Sequence, residues 1–191
     1  MPQFRDQSLV PTEAVRLAAL GILAEGERRY GELAVEVRNF ISRLLGPSLD
    51  VLGTSIELLR YEGLIEPMGP RAGPGQSLTA DTVVRLSAAG RSELGLLLQS
   101  RVHLPMTDLS RLVVALKLRF LHLLDEAGRR RQIEMLGETM ESELARLRDL
   151  RAQRPLADDA LGDWLDHEIA QTEARAAWYR GRLEEPPAKR A

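Results

Sequence analysis

Two carboxylates and an imidazole are spaced so that they could bind a divalent metal ion. Asp159, Asp163 and His167 follow one another at four-residue intervals, which places them on one face of a predicted helix. Carboxylate oxygen and imidazole nitrogen both bind divalent metals. The same spacing also produces a solvated acidic stripe, and no second helix supplies a matching set of ligands. We therefore expect no metal site.

The rest of the sequence lacks the motifs of common catalytic sites. There is no cysteine, which excludes disulfides, thiol catalysis and cysteine-ligated metals. Neither a glycine-rich phosphate loop nor a G-x-S-x-G or H-E-x-x-H motif is present. His103 and His122 are isolated in the sequence from other candidate catalytic groups. We therefore expect a protein that is not an enzyme and that carries no cofactor.

A second group of polar residues has the chemistry needed to bind a nucleic acid. Short hydroxyl side chains can hydrogen-bond phosphates or base edges, and arginine binds phosphate. The candidates are Arg28, Arg29, Tyr30, Ser48, Thr54, Ser55, Arg71 and Gln76. Each of them alone would more often be an ordinary surface residue, and Ser48 could instead cap a helix. Only the set, brought together by the fold, would form an interface.

The charge of the chain argues against a strongly basic DNA-binding surface. The 191 residues contain 26 basic and 28 acidic side chains, a net charge of −2. Residues 1–100 contain ten arginines, no lysine and twelve acidic residues, so the part with the candidate set is not basic either. Most DNA-binding domains are basic, because neutralisation of phosphates supplies much of their affinity. Asp50 and Glu57, which lie among the candidates, would repel phosphate.

Three short helices are predicted in the first 61 residues, which contain most of these candidates. The first extends from Thr12 to Glu25 and the second from about Tyr30 to Leu44. The third follows a Gly-Pro break, with Ser48 or Asp50 as its cap, and ends near Tyr61. The residues predicted to be buried are Val15, Ala18, Ala19, Ile22 and Leu23 in the first helix, Leu33, Val37, Phe40, Ile41 and Leu44 in the second, and Leu52, Ile56 and Leu59 in the third.

The stretch after these helices predicts a small β-hairpin. Leu64–Glu66 and Thr82–Leu86 can form its two strands, and the segment between them is rich in proline and glycine, as expected of an exposed tip. Ser87 can cap a further helix. Three helices followed by a two-stranded wing are typical of the winged helix-turn-helix, whose third helix enters the major groove. By shape alone, an ordinary surface hairpin is an equal alternative.

The second half of the chain predicts long helices with narrow apolar seams. One extends from Asp108 to about Asp125, a second carries the seam Ile133–Leu150, and a third carries the seam Leu161–Leu183. Three such stripes cannot enclose a thick core in one chain, so we expect a homodimer with two-fold symmetry. Trp164 and Trp178 could line a pocket for a flat aromatic ligand, although large aromatic residues more often pack in a core or an interface.

No segment predicts a membrane span or a signal peptide. The most apolar run, Leu112–Leu124, is interrupted by basic side chains and is shorter than the ~20 residues needed to cross a bilayer. The N-terminal residues lack the basic-then-apolar order of a signal peptide. We expect a cytoplasmic protein with no membrane partner.

Several motifs resemble those of PadR-type transcriptional regulators. Leu17–Leu33, which ends in the residues Tyr-Gly-Glu-Leu, is similar to that family's first helix and the motif that follows it. Leu58–Glu66 and Val83–Arg91 are similar to the exits from helix 3 and from the wing. The last two motifs also occur in MarR-type proteins, but the long helices after the wing favour PadR. The resemblance implies a homodimer clasped by its C-terminal helices that binds double-stranded DNA, usually as a repressor and sometimes released by a small ligand.

Together these features predict a mainly α-helical protein with one small β-hairpin. We expect a winged-helix DNA-binding domain over residues 1–103, a helical dimerisation domain over residues 104–185 and a flexible tail over residues 186–191.

The chain departs from the PadR pattern in helix 3. Gly53 stands where that family usually has a tyrosine, and Glu57 and Leu58 stand where basic residues are usual. An alternative therefore stays open, a dimeric protein-interaction module that kept the winged fold and lost DNA binding. Exposed Leu49 and Leu58 would favour it. A basic belt of Arg28, Arg38, Arg43 and Arg71 would favour DNA.

Overall fold

The protein is mainly α-helical, with one small sheet. The computed structural model describes residues 11–45, 52–69, 78–102, 106–153 and 160–184. The elements formed by these residues are α1 (Pro11–Ala24), β1 (Arg28–Arg29), α2 (Tyr30–Leu45), α3 (Leu52–Tyr61), β2 (Ile65–Pro67), β3 (Val83–Leu86), α4 (Ala88–Gln99), α5 (Asp108–Arg119), α6 (Glu126–Ala152) and α7 (Ala160–Glu184). One turn of 3-10 helix, Leu121–Leu123, follows α5. The predicted fold class, three helices and a wing followed by further helices, is confirmed.

The chain divides into two compact units. The first contains α1 to α5 with the sheet and the 3-10 turn, and the second contains α6 and α7. The boundary therefore follows Leu123 and not residue 103, because α5 packs against α1 and α2. The helix predicted from Asp108 to Asp125 ends at Arg119, and it belongs to the first unit. That the two units bind DNA and dimerise, respectively, stays a prediction.

Helix α1 forms the centre of the first unit. It packs against α2, α3, α4 and α5. All five side chains predicted to be buried on it are buried, and Leu17 and Leu20 on the same helix are buried as well. The ring of the fully buried Phe120 lies directly against Gly21, where a side chain would overlap it. An almost wholly apolar helix is thus covered on all sides, as its composition requires.

Helix α2 is buried along a narrower stripe than its sequence predicts. Leu33, Val37 and Ile41 are buried, but Phe40 is only partly buried and Leu44 is 49% exposed. The predictions for Phe40 and Leu44 were therefore wrong. The three buried positions follow a single i, i+4, i+8 line, and the next line round the helix lies at the edge of the core. An apolar strip is left at the surface there.

The sheet has three strands where the sequence predicts two. The order is β1-β3-β2, and both pairs are antiparallel. Strand β1 is only Arg28–Arg29, and Arg28 lies opposite Val84. A pair of arginines carries no alternating apolar pattern, so this strand is defined only by its pairing with Val83 and Val84, which are distant in sequence. The amides of Tyr30 and Gly31 extend the contact by donating to the carbonyls of Thr82 and Ala80, at 2.8 and 2.9 Å.

Ser87 joins the N-terminus of α4 to the turn that precedes β2. The predicted cap is confirmed, because the Ser87 Oγ accepts a hydrogen bond from the amide of Gly90 at 2.9 Å. The same hydroxyl donates to the carbonyls of Gly63, at 2.7 Å, and Leu64, at 3.0 Å. Gly90 lies so close to the Leu64 carbonyl that a Cβ would overlap it. Helix α4 is therefore docked by a cap and a close backbone contact together.

The second unit is a hairpin of two long helices. Arg151 near the end of α6 pairs with Asp166 near the start of α7 at 2.9 Å, and Arg130 near the start of α6 donates to the Leu183 carbonyl at 3.3 Å. The two helices are thus antiparallel. The buried seam comprises Ile133, Leu136, Met140, Leu144 and Leu147 on α6 and Leu165, Thr172, Ala176 and Tyr179 on α7. Among the described helices, none combines the length and apolarity needed to span a membrane.

Candidate nucleic-acid interface

The fold brings part of the predicted candidate set to one corner of the first unit. Arg28 and Arg29 form β1, and Tyr30 is the first residue of α2. Thr54 and Ser55 lie in α3, where their backbone is described and their side chains are not. The other three candidates, Ser48, Arg71 and Gln76, lie outside the described residues.

Tyr30 connects the β1–α2 corner with α3. Burial raises the pKa of its hydroxyl, and the negative charge of Glu57 on α3 raises it further. Helix α2, which begins at Tyr30, packs against α3. The corner and the third helix are therefore neighbours. The hydroxyl stays protonated at neutral pH and can donate to an acceptor.

The two arginines of β1 already have acidic partners. Arg29 lies 3.8 Å from Asp81, and both side chains are exposed, 60% and 90% respectively. Arg28 lies 4.0 Å from Glu36 of the neighbouring helix. Exposed ion pairs contribute little stability, so an arginine can leave such a partner at small cost. A phosphate could replace Asp81 at Arg29 more easily than it could replace a buried partner.

The exposed face of α3 includes apolar side chains, and the acidic Glu57 lies beside them. Leu58 is 48% exposed and Tyr61 is 72% exposed. Arg60 lies 3.8 Å from Glu57 and places its guanidinium 5.0 Å from the Tyr61 ring. The exposure predicted for Leu58 is confirmed, and Leu49 lies outside the described residues. The charge that a phosphate would meet on this helix is therefore partly neutralised.

The described part of the wing carries a balanced charge pair. Arg85 of β3 and Glu66 of β2 lie opposite each other in the sheet and form an ion pair at 3.0 Å. Such a cross-strand pair contributes to strand pairing. It leaves the body of the wing without net charge.

Of the basic belt Arg28, Arg38, Arg43 and Arg71, only two residues are described and free of an ion pair among the described residues. Arg28 is paired, and Arg71 lies outside the described residues. Arg38 and Arg43 are exposed on α2, and neither makes an ion pair within the part of the chain that the structure describes. From the sequence, these two arginines could be recognised as candidate phosphate contacts only by their residue type and by their positions on a predicted amphipathic helix. They add two available positive charges to the first unit.

The two tryptophans lie far apart on one helix. Trp164 is 52% exposed and Trp178 is 50% exposed, both on α7. Fourteen residues of helix separate them, about 21 Å at 1.5 Å per residue. Trp178 packs edge-on against Tyr179, with ring centres 4.9 Å apart, and Arg182 lies 5.9 Å from its ring. One flat ligand cannot contact both tryptophans of a single chain.

The metal-ligand spacing in the sequence has no counterpart among the described residues. Asp159 lies outside them, and His167 has its Nε2 2.6 Å from the side-chain amide nitrogen of Gln171. Within the described ranges, no three potential ligand side chains converge on a common point.

Comparison with known proteins identifies a family of regulators. The model of the family described as "Putative AphA-like transcriptional regulator" matches residues 4–182. Similar solved structures include smu.1604c from Streptococcus mutans UA159, with 19% identity, a TM-score of 0.36 and coverage of 89% of this chain and 98% of that chain. Bacillus subtilis PadR in complex with p-coumaric acid is another, with 16% identity, a TM-score of 0.35 and coverage of 92% and 97%. No curated protein matches the chain.

Proposed function

Because the chain belongs to the AphA-like family of transcriptional regulators, we propose that it is a cytoplasmic homodimeric repressor that binds double-stranded DNA and is released by a small aromatic ligand. The observation that carries the proposal is the family match over residues 4–182, together with the helix-turn-helix and wing of the first unit. The finer statements, on DNA, dimerisation and ligand, rest on the arguments below.

DNA binding is proposed to centre on α3. Its first turn carries Thr54 and Ser55, whose hydroxyls suit bases or phosphates. The β1–α2 corner contributes Arg29 and the protonated Tyr30, both suited to hydrogen-bond phosphate oxygens of an adjacent backbone. The wing would contact the neighbouring groove from the other side, as in other winged helices.

Dimerisation is proposed to use a partly exposed stripe on α7. The stripe repeats at heptad spacing and consists of Leu161, Trp164, Glu168, Gln171, Arg175, Trp178 and Arg182. It is self-complementary: in an antiparallel pair centred near Gln171, each Trp164 would approach the partner's Trp178 and each Glu168 the partner's Arg175. A two-fold axis requires this kind of reciprocal match. It would also cover both half-exposed tryptophans.

The same arrangement suggests where an aromatic ligand would act. Two tryptophans that are about 21 Å apart in one chain would become neighbours across the two-fold axis. A flat ligand between them would favour one spacing of the two α7 helices, and we propose that this spacing controls DNA binding. The release of DNA would follow from a mismatch with the half-sites.

A protein-interaction module without DNA binding is the second candidate function. The exposed Leu58 and Tyr61 on α3, next to the acidic Glu57, favour it. An apolar patch beside a carboxylate suits a protein surface better than it suits a phosphate backbone.

DNA binding is tested by fluorescence anisotropy with duplexes that tile the region upstream of the protein's own gene, at low and near-physiological salt. The proposal expects tight, sequence-dependent binding that weakens steeply with salt. Glu57→Gln should raise the affinity by removing a negative charge, and Arg29→Gln should lower it and reduce the salt slope by about one. Arg111→Gln, an exposed arginine of α5, is the control and should change neither.

The contrary result is equally clear. If every duplex fails to bind, or if all bind alike and only at low salt, then the repressor proposal is wrong and the protein-interaction candidate replaces it.

A further inference from the structure

The outward face of α3 carries an exposed leucine. Ile56 and Leu59 hold the helix on the core, and each is 1% exposed. Leu58 and Tyr61, each two residues further along, are 48% and 72% exposed. Two residues of an α-helix correspond to a rotation of about 200°, so the exposed pair lies on the face opposite the buried pair. The side of α3 that meets solvent is therefore apolar at Leu58.

The same face offers little positive charge to a phosphate. Arg60 is the one basic residue in the sequence of Leu52–Tyr61, and its side chain is 11% exposed. Its guanidinium lies 3.8 Å from the carboxylate of Glu57 and 5.0 Å from the centre of the Tyr61 ring. Affinity for the DNA backbone comes mainly from basic side chains that neutralise phosphates. Helix α3 is therefore better suited to contact base edges than phosphates.

The base edges in the major groove include one apolar group. Thymine presents a 5-methyl group beside its acceptor, whereas the other three bases present only hydrogen-bond donors and acceptors. Leucine has no polar atom, so a donor or acceptor buried against it loses its hydrogen bond to water without replacement. Against a methyl group, the same side chain gains from the removal of apolar surface from water. A leucine that reaches the base edges therefore favours thymine over cytosine.

Leu58 is better placed for such a contact than Tyr61. Helix α3 has ten residues, a length of about 15 Å, and the major groove that would receive it is about 12 Å wide. Leu58 lies within the helix, one turn after Thr54, whereas Tyr61 is its last residue. The Tyr61 ring has the Arg60 guanidinium over one face, and its hydroxyl suits a phosphate oxygen, which carries no sequence information.

We propose that Leu58 selects thymine at one position of each DNA half-site by packing against its 5-methyl group in the major groove. The proposal rests on the DNA-binding function proposed above and adds the base that one side chain reads. A contact with a methyl group needs one apolar side chain, whereas a stable protein interface buries about 800 Å² on each partner. Two exposed side chains on a short helix fit the first requirement better than the second.

The test removes the methyl group alone. In the duplex that binds most tightly among those tiling the upstream region, each thymine is replaced in turn by deoxyuridine, which keeps the hydrogen-bonding groups of thymine and lacks its 5-methyl group. Fluorescence anisotropy should show that affinity falls about fourfold at one thymine of each half-site, as expected when one methyl group is no longer buried. The other thymines should show no such loss.

Two leucine variants assign the response to a side chain. Leu58→Ala should bind the unmodified duplex more weakly, and it should bind the thymine and deoxyuridine duplexes alike, because the coupling between the two apolar groups is lost. Leu96→Ala is the matched control, since Leu96 is a 67% exposed leucine on α4. It should keep both the wild-type affinity and the response to deoxyuridine. Circular dichroism of both variants checks that the fold is retained.

Failure of this inference and failure of DNA binding give different results. If no duplex binds in a sequence-dependent way, the DNA-binding proposal is wrong and the thymine contact is refuted with it. If a duplex binds tightly but no deoxyuridine weakens it, or if Leu58→Ala keeps the full response, only the thymine contact is refuted. DNA binding would then stand, and the exposed Leu58 would be left to a protein partner.

Discussion

At the scale of single residues, Lys117 ties α5 to the end of α4. Its side chain is fully buried, and its Nζ donates to the carbonyls of Leu97, Leu98 and Ser100 at 2.8, 2.8 and 2.7 Å. The final carbonyls of a helix lack partners within the helix, and a cation there also interacts favourably with the helix dipole. In its protonated form, Lys117 therefore replaces the missing backbone donors of α4 and holds α5 against it.

This burial makes the stability of the fold depend on pH. Burial lowers the pKa of Lys117 from 10.5 to about 7. Between these values the unfolded chain keeps a proton that the folded chain has lost, so the free energy of unfolding should rise with pH, by up to about 1.4 kcal/mol per unit. Lys117→Met cannot titrate and should remove this part of the slope. Urea unfolding of both proteins from pH 7 to 9.5 measures the difference.

The opposite outcome would also be informative. Equal slopes for wild type and Lys117→Met would mean that the three carbonyls keep the ammonium charged through this range. The pH dependence would then have another origin.

At the scale of elements, the docking of α4 depends on a backbone contact that only glycine permits. Gly90 follows the Ser87 cap and lies directly against the Leu64 carbonyl. Any side chain there must push α4 away from the turn before β2. Gly95, one and a half turns later on the same helix, has open space where its side chain would be.

The two glycines should respond to alanine with opposite signs. Gly90→Ala should destabilise the protein by about 1–3 kcal/mol, because the overlap forces the backbone to shift. Gly95→Ala should stabilise it by up to about 1 kcal/mol, because alanine is the better helix former and meets no obstacle. Thermal and urea unfolding followed by circular dichroism would show both changes. Shifts of the same sign for both variants would contradict the close contact.

At the scale of the whole molecule, the described part of the second unit is a single pair of helices, α6 and α7. Two antiparallel helices bury one seam between them and leave the tryptophans of α7 half exposed. Large apolar residues left in this way indicate a further partner, and a second copy fits the reciprocal pattern of the stripe.

If the proposed dimer forms through the α7 stripe, disruption of the stripe should separate it. Trp164→Glu with Trp178→Glu should lower the dimer affinity at least tenfold, by burying charges in an apolar contact. Ala177→Glu adds one such charge at an exposed position about 100° or more round the helix from both tryptophans, and should leave the dimer intact, whereas either tryptophan change alone should already weaken it. Sedimentation velocity gives the association state. A monomeric wild type, or equal effects of the two changes, would refute the stripe as the interface.

The regulator class and most of the helices could be predicted from the sequence. The predicted helices over residues 12–25 and 30–44 match α1 and α2 to within one residue at each end, and the Ser87 cap is correct. These are local properties: helical periodicity and a capping hydroxyl. The family match to a transcriptional regulator confirms the class predicted from the PadR-like motifs.

The sequence by itself determined where most of the helices lie and which class of protein the chain belongs to, because local preferences and motifs carry that information. Only the tertiary structure decided that Arg28–Arg29 form a strand, that α5 joins the first unit, that Leu44 is exposed and that the one lysine of the described chain is buried. Each of these depends on partners that are distant in sequence. The periodicity of a segment predicts which helix face a residue occupies, whereas tertiary packing decides whether that face is covered.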